Sequence, residues 1–309
     1  MEIRAFFIVN PHSGSSSTGR QWPEWRKLIE RRMGRADFSY TRATMHAAEL
    51  ARTAIEKGYN RIVAVGGDGT LNEVLNGFFR RGSSIPREAA IAYIPNGTGA
   101  DFARSVDFHG GTIEEHVERT ASGDIRHIDC GEVHFYDTAG EETSRLFINE
   151  SSLGFSAETA AAVNRASKHL RGRLPFLIGV TRCLSRLRNP LFRVEIDGKV
   201  VHEGATLLVA VTNGRYFGGG MKIAPLAEVA DGLLDIIVIG AMSRLTLMRK
   251  IKSIYSGRHL DEPEVTAFRG RVVHITAPEE EVLLEMDGEQ PGKLAANYRV
   301  SKKLAPFVC

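Results

Sequence analysis

Apolar and polar positions fall into two regimes along this chain. Up to about residue 125, short apolar runs alternate with stretches of helical spacing. Ile3–Val9 reads as a buried strand, and Asn10-Pro11-His12-Ser13-Gly14 turns the chain, with GSSSTGR extending that loop. Trp22–Arg32 has the period of a helix, Phe38–Thr41 that of a strand, and His46–Lys57 that of a helix again. Ile62–Val65 is a β-branched, apolar run of the kind found in fully buried parallel strands. Gly66-Gly67-Asp68-Gly69 follows, and Thr70 is placed to cap a helix with Leu71, Val74, Leu75 and Phe78 on one face. Ala90–Ile94 is the next strand. This alternation predicts a doubly wound parallel sheet with helices on its faces, an α/β domain.

Beyond that point the period shortens. Phe192–Ile196, Asp197-Gly198 and Lys199–His202 spell strand, type I′ turn, strand. Apolar runs follow at Thr206–Val211, Leu233–Ile239, Val272–Thr276 and Val282–Met286. Short strands in succession predict an antiparallel β domain, interrupted by helical stretches at Ala157–Leu187 and Arg244–Ser256. The boundary falls near 125–130, giving 1–127, 128–296 and a C-terminal piece, 297–309, that could return to the first domain.

Composition narrows the class without naming an activity. The 309 residues suffice for two cores. A net charge of +3 argues against a general polyanion or nucleic-acid role. Three cysteines, Cys130, Cys183 and Cys309, lack metal-site spacing and predict a reducing, cytoplasmic setting. No apolar run approaches the ~20 residues that span a bilayer.

The chemistry gathers in loops. Strand, glycine turn and helix start, as in 61–77, is an arrangement that collects anions, because free N–H groups point outward. Asp68 stands among them either as a turn former or as a carboxylate that meets phosphate through a divalent cation. Pro95-Asn96-Gly97-Thr98-Gly99-Ala100-Asp101-Phe102-Ala103-Arg104 is a second Gly/Thr loop closing on a carboxylate, with the Thr98 hydroxyl available to a phosphate. Ligands of open α/β sheets bind beyond the carboxyl ends of the strands, where Asn10–Gly14, Gly66–Asn72 and Pro95–Asp101 all lie.

Six blocks together resemble the diacylglycerol kinase catalytic-domain superfamily, which includes the sphingosine and ceramide kinases, and its soluble bacterial branch most closely. They are NPHSG at 10–14, GGDGTLNEV at 66–74, PNGTGADFAR at 95–104, NGRYFGGGMKIAP at 213–225, DGLLD at 231–235 and MDGE at 286–289. The resemblance implies a Rossmann-like first domain of the NAD-kinase and phosphofructokinase kind. It implies a C-terminal β-sandwich, with the active site in the cleft between the two. It implies transfer of the ATP γ-phosphate to the hydroxyl of a diacylglycerol-like or sphingoid lipid, in phospholipid metabolism.

By the same resemblance the nucleotide meets Asn10, Pro11, His12, Ser13, Gly14, Thr41, Gly66, Gly67, Asp68, Gly69, Thr70, Leu71, Asn72 and Thr98. Asp68, Asp101 and Asp129 would organise Mg²⁺ through water, although Asp129 also reads as a plain strand-start residue. A second, structural metal would take Asp231 with backbone oxygens of Glu228 and Leu233, where Asp231-Gly232 also reads as a simple turn. Asp287 and Glu289 are the candidates for the base that accepts the hydroxyl proton, and Asp287-Gly288 reads equally as a hairpin turn.

Two residues depart from the pattern of that superfamily: Ala100 stands where Asn is usual, and Ser156 where Asp is common. They motivate the alternative of a degenerate lipid or nucleotide sensor; an NAD kinase is the enzymatic alternative. Arg165, Lys168, Arg171, Arg173, Arg182, Arg186 and Arg188, interleaved with Leu170, Leu174, Phe176, Leu177, Ile178 and Leu184, form either a solvated basic face or a surface for anionic lipid. Gly218-Gly219-Gly220 reads as a close approach to a ligand or as a bulge. Peripheral association of a cytoplasmic protein with an anionic membrane surface is the expectation, and pairing as a homodimer is left open.

Overall fold

The computed structural model describes residues 2–80, 83–84, 89–97, 99–159, 184–185, 187–279, 281–302 and 304–309. The chain forms two compact units, Met1–Asp129 with Lys302–Cys309, and Cys130–Ser301.

Unit 1 is a six-stranded sheet in the order β2-β1-β3-β6-β18-β7. β1 (Ala5–Val9), β2 (Asp37–Tyr40), β3 (Arg61–Gly66) and β6 (Ala90–Pro95) run parallel. β18 (Ala305–Val308), from the far end of the chain, pairs β6 at Phe307–Ile91 and runs antiparallel to β7 (Ile125–Ile128). A two-stranded ladder of β4 (Phe79–Arg80) and β5 (Ser83–Ser84) lies outside this sheet.

β3 is buried at every position, which is why it reads as one continuous apolar run. Alternate residues serve the two faces. Phe7, Val9, Val63 and Val65 pack with Trp22 and Ile29 of α1 (Ser13–Met33) and Val117 of α5 (Ile113–Ser122). α2 (His46–Glu56) packs against α3 (Asp68–Gly77). The sheet is therefore wound on both sides.

Two expectations for this unit change. α1 begins at Ser13 rather than near Trp22, with Gly14, Ser15 and Ser16 left-handed before the helix proper. Its first turns carry Ser and Thr that bond to a neighbouring loop, so no apolar period marks them. The cap of α3 is Gly67, not Thr70, because the helix already starts at Asp68. α4 (Asp101–Ser105) and α5 follow β6; α5 is closed by a capping box of Thr112 and Glu115.

Unit 2 is antiparallel throughout. Its ladder runs β10-β16-β17-β15-β11-β12-β13-β14, and β10 also pairs β12, so six of these strands close into a ring. They are β10 (Glu150–Gly154), β16 (Leu283–Met286), β17 (Glu289–Val300), β15 (Val272–Thr276), β11 (Leu191–Ile196) and β12 (Lys199–Thr212). β8 (Gly131–Asp137) joins β17 and carries β9 (Glu142–Phe147); β13 (Leu234–Gly240) and β14 (Val265–Gly270) extend the other end.

The ring is filled by Val133, Phe147, Leu153, Val194, Val211, Ile236, Ile275, Leu284, Met286 and Tyr298. The other side of β12 and β13 is covered by Phe217, Ile223, Leu247 and Ile254. The last two belong to α6 (Arg244–Lys250) and α7 (Ser253–Ser256). β12 unites the two strands expected at Lys199–His202 and Thr206–Val211, with a bulge against β13 between Thr206 and Leu208. At the Asp197-Gly198 turn both residues have positive φ, as type I′ requires. β17 extends to Val300, so residues 297–300 stay in unit 2. Among the described residues no helix is long and apolar enough to cross a membrane.

Candidate functional site

In unit 1 the three loops at the carboxyl ends of β1, β3 and β6 meet. Asn10 N–H donates to Val65 O (3.0 Å) and Asn10 Nδ2 to Thr70 Oγ1 (3.0 Å), so the first loop is stitched to the second. Asn96 N–H donates to Gly66 O (2.7 Å), stitching the third to the second. Asn96 Nδ2 donates to Thr18 Oγ1 (2.8 Å) and Ser17 Oγ (3.0 Å), stitching it to the first. The contact is tight enough to demand glycine at Gly97, where a Cβ would sit 2.6 Å from Gly67 Cα.

Asp68 does more than line this junction. Its Oδ2 accepts the Asp101 N–H (3.0 Å) and its Oδ1 the Phe102 N–H (3.1 Å), so one carboxylate caps a helix that starts 33 residues on. Burial pushes the Asp68 carboxyl up, against the pull of those N–H donors. Asp101 is 5% exposed, and its Oδ1 lies 3.6 Å from Arg104 Nε. A Cβ added to Gly99 would meet Asp101 Oδ2 at 2.9 Å and Asp68 Oδ2 at 3.5 Å, so one oxygen of each acid faces the same small space.

Mg²⁺ asks for one or two carboxylates and keeps several waters, and this donor pair fits that demand. Asp129 is buried just past β7. Among the described residues no three acidic, His or Cys side chains assemble as direct metal ligands, so Asp68, Asp101 and Asp129 do not form a closed cage.

The other nucleotide candidates divide by exposure. His12 is exposed, and its N–H donates to Asn10 Oδ1 (3.0 Å); Pro11, Ser13, Gly14, Thr41, Gly67 and Gly69 are partly exposed. Thr41 N–H continues the β1 ladder to Val9 O (2.9 Å). Leu71 and Asn72 are fully buried and Thr70 nearly so, which leaves Leu71 as core rather than ligand surface. Thr98 lies outside the described residues. Asn96 was not singled out by the sequence as the hub of the three loops, since a lone Asn in a Gly-rich loop has no periodic signal. Ala100, the departure from pattern, is left-handed (φ 50°, ψ 43°) and immediately precedes α4.

In unit 2 the Asp287-Gly288 turn is held from below. Asp287 is 2% exposed; its Oδ2 accepts Ile148 N–H (3.1 Å), and its Oδ1 accepts Asn149 N–H (3.1 Å) and Glu150 N–H (2.9 Å). Asp287 N–H in turn donates to Glu150 O (3.0 Å). The dipeptide is a turn, with φ positive at both residues, and three N–H donors hold its carboxylate. Glu289 is more accessible and pairs with Arg145 at 2.7 Å. Asn149 Nδ2 donates to Tyr216 O (2.8 Å) and Asn213 Nδ2 to Ile148 O (2.9 Å), which ties the 213–225 block to the same strand end. Gly218, Gly219 and Gly220 are all left-handed and form a turn closed by the Phe217–Met221 bridge.

The second expected metal position is occupied differently. Asp231 Oδ1 accepts Leu233 N–H (3.0 Å), and Asp231 Oδ2 pairs with Arg269, whose Nε also reaches Asp235 Oδ1 at 3.2 Å. A cation on Asp231 with the Glu228 and Leu233 carbonyls would have to displace that guanidinium, so this arrangement does not fit a metal. Ser156 lies in the helical residues 155–159, and its hydroxyl has no bonding partner among the described residues. Of the basic stretch from Arg165 to Arg188, residues 184, 185, 187 and 188 are described and the others lie outside the described residues.

Residues 4–133 match the diacylglycerol kinase catalytic domain, and residues 149–306 match the YegS C-terminal NAD kinase beta sandwich-like domain. The chain is 28% identical over 298 residues to a diacylglycerol kinase of Staphylococcus carnosus, covering 96% of this chain and 92% of that protein. It is 32% identical over 232 residues to a diacylglycerol kinase of Mycobacterium tuberculosis, covering 75% and 72%. A crystal structure of a diacylglycerol kinase from Bacillus anthracis aligns with a TM-score of 0.69 at 18% identity, over 99% of this chain and 96% of that one, which shows the shared fold.

Proposed function

This chain belongs to the bacterial diacylglycerol kinase family, and from that premise we propose that it transfers the γ-phosphate of ATP to the hydroxyl of a lipid alcohol, diacylglycerol-like or sphingoid. The observation that carries the reading is the junction of three loops in unit 1, with Asp68 and Asp101 turned to one space beside them. Phosphoryl transfer asks the protein mainly for positioning and for neutralised charge. We assign the triphosphate to the backbone of Asn10–Gly14 and Gly66–Gly69, with Thr41 beside them.

Mg²⁺, held through water by Asp68 and Asp101, would supply the positive charge that the phosphate oxygens need. The acceptor oxygen bonds to the γ-phosphorus as the β–γ bridge breaks and ADP leaves. The hydroxyl proton passes to a carboxylate of the Asp287–Glu289 turn. Asp287 is the better oriented, because three N–H donors fix it; Glu289 is the more accessible. The basic residues 165–188 of the sequence would favour a bilayer carrying anionic lipid as the source of substrate.

The test is purified protein with Mg²⁺, γ-labelled ATP and separate acceptors: diacylglycerol in vesicles, a long-chain base, and NAD. The expected result is label in one lipid class. Asp68→Asn is expected to lower turnover at least about a hundredfold, the scale of losing one preorganised charge-stabilising group. Label in NAD alone, or in no acceptor from folded protein, would overturn the assignment.

A further inference from the structure

α6 and α7 follow each other without a break in the backbone, since Ile251 and Lys252 between them are both right-handed helical. At about 3.6 residues per turn, Leu247 and Ile254 fall on one side of residues 244–256, and Leu245, Met248, Lys252 and Tyr255 on the other. The first side is buried against β12 and β13. The second is open: Leu245 is 56% exposed, Met248 60% and Tyr255 50%. The neighbouring loop adds Leu226, 76% exposed. That loop is fastened to α7, because Lys222 N–H donates to Ile254 O (2.9 Å), and a Cβ added to Gly257 would meet Pro225 Cγ at 2.8 Å.

The charge around this apolar stripe has one sign. Residues 241–260 contain Arg244, Arg249, Lys250, Lys252 and Arg258 and no Asp or Glu. Lys250 is engaged by Glu262 (2.7 Å) and Glu264 (2.6 Å). Arg244, Arg249, Lys252 and Arg258 are exposed, and no acid among the described residues pairs with them. Single apolar residues scattered over a surface are ordinary. Four in one patch, ringed by uncommitted cations, mark a contact surface.

We propose that the outer face of α6–α7, with Leu226, docks on a bilayer that carries anionic lipid. Leu226, Leu245 and Met248 enter the boundary between headgroups and acyl chains, Tyr255 keeps its hydroxyl in water, and the four cations meet lipid phosphates. A second copy of the chain is the poorer occupant. Two-fold pairing brings the same face to itself, which sets cation against cation with no acid between. A nucleic acid would satisfy the cations and leave three aliphatic side chains without an apolar partner. This surface is separate in sequence from the basic stretch 165–188. The docking uses no group assigned to phosphoryl transfer; only the bilayer's role as source of the acceptor lipid rests on the kinase reading above.

Flotation of the full chain with phosphatidylcholine vesicles, with and without phosphatidylglycerol, tests this. Binding is expected on the anionic vesicles alone, and it should weaken as salt screens the charges. Arg249→Gln and Lys252→Gln should each weaken partition about fivefold, and Leu245→Gln with Met248→Gln about tenfold or more. All four positions are exposed, so these variants should melt with the unaltered protein, which separates lost docking from lost fold. Kinase activity on a water-soluble, short-chain diacylglycerol should be unchanged in them, while activity on diacylglycerol in anionic vesicles falls. Partition onto neither vesicle, equal partition onto both, or partition that survives all four substitutions would overturn the proposal, the last outcome moving the contact to residues 165–188. So would a dimer, seen by sedimentation, that Leu245→Gln with Met248→Gln dissociates. A chain without kinase activity can still pass the flotation test, so the two readings fail separately.

Discussion

Gly97 shows how little room the loop junction allows. The atom nearest to its absent Cβ is Gly67 Cα, part of the main chain, which cannot rotate away as a side-chain tip would. Gly97→Ala is therefore expected to push the second and third loops apart. The overpacking should cost about 1–3 kcal/mol, read as a lower thermal midpoint, and nucleotide affinity by titration should fall with it. An unchanged midpoint and affinity would mean that the junction is looser than the distances state. Ala100 is the neighbouring case in which chemistry and conformation disagree. A left-handed residue suits Asn or Gly far better than Ala, so this position carries backbone strain. Asp68 caps α4 with two N–H bonds, so its removal loosens a loop as well as deleting a charge.

At the scale of elements, β13 and β14 carry a built-in cation. Asp235 and Arg269 are directly opposed in this ladder, and the guanidinium reaches Asp231 in the loop before β13 as well. Burial, with Asp231 and Glu228 nearby, pushes the Asp235 carboxyl up to about 6 in spite of Arg269. Three acids thus crowd one positive group. The chain's own arginine answers Asp231, so chelation of divalent ions should leave the thermal midpoint of the substrate-free protein unmoved. Arg269→Gln should lower the stability by about 1 kcal/mol, discounted because the side chain is 43% exposed. It should also make the midpoint rise on addition of Mg²⁺ or Ca²⁺. A fall in the midpoint of the unaltered protein with chelator would reverse this assignment.

At the scale of the molecule, the last eight residues belong to the first unit. Ala305, Phe307 and Val308 are essentially inaccessible, and Phe307 meets Phe102 and Phe108. β18 also supplies the only partner of β7 among the described residues. Truncation after Ser301 removes that strand and exposes two aromatic neighbours, at about 1.5–3 kcal/mol for each large apolar side chain lost. The truncated chain is expected to lose the cooperative unfolding of unit 1 while unit 2 keeps its own, as calorimetry would resolve. A single unaltered transition would show that β18 is dispensable.

Much of this was legible from residue order. The buried strands β1, β3, β6, β11, β13 and β15 announce themselves because a strand covered on one or both faces must be apolar in a run or in alternation, and that demand is local. The glycine loops are legible for the same reason, since positive φ and close backbone approach leave few residue choices. The edge strands β7, β9 and β14 escaped because an exposed edge tolerates polar residues, and α4 because five residues carry no period. The capping of α4 by Asp68, the hold of residues 148–150 on Asp287, the Arg269 bridge and the bond from Ser152 to Glu285 were decided in three dimensions. Each joins groups 33 or more residues apart, and the strength of a polar contact depends on burial and orientation that no neighbouring residue encodes.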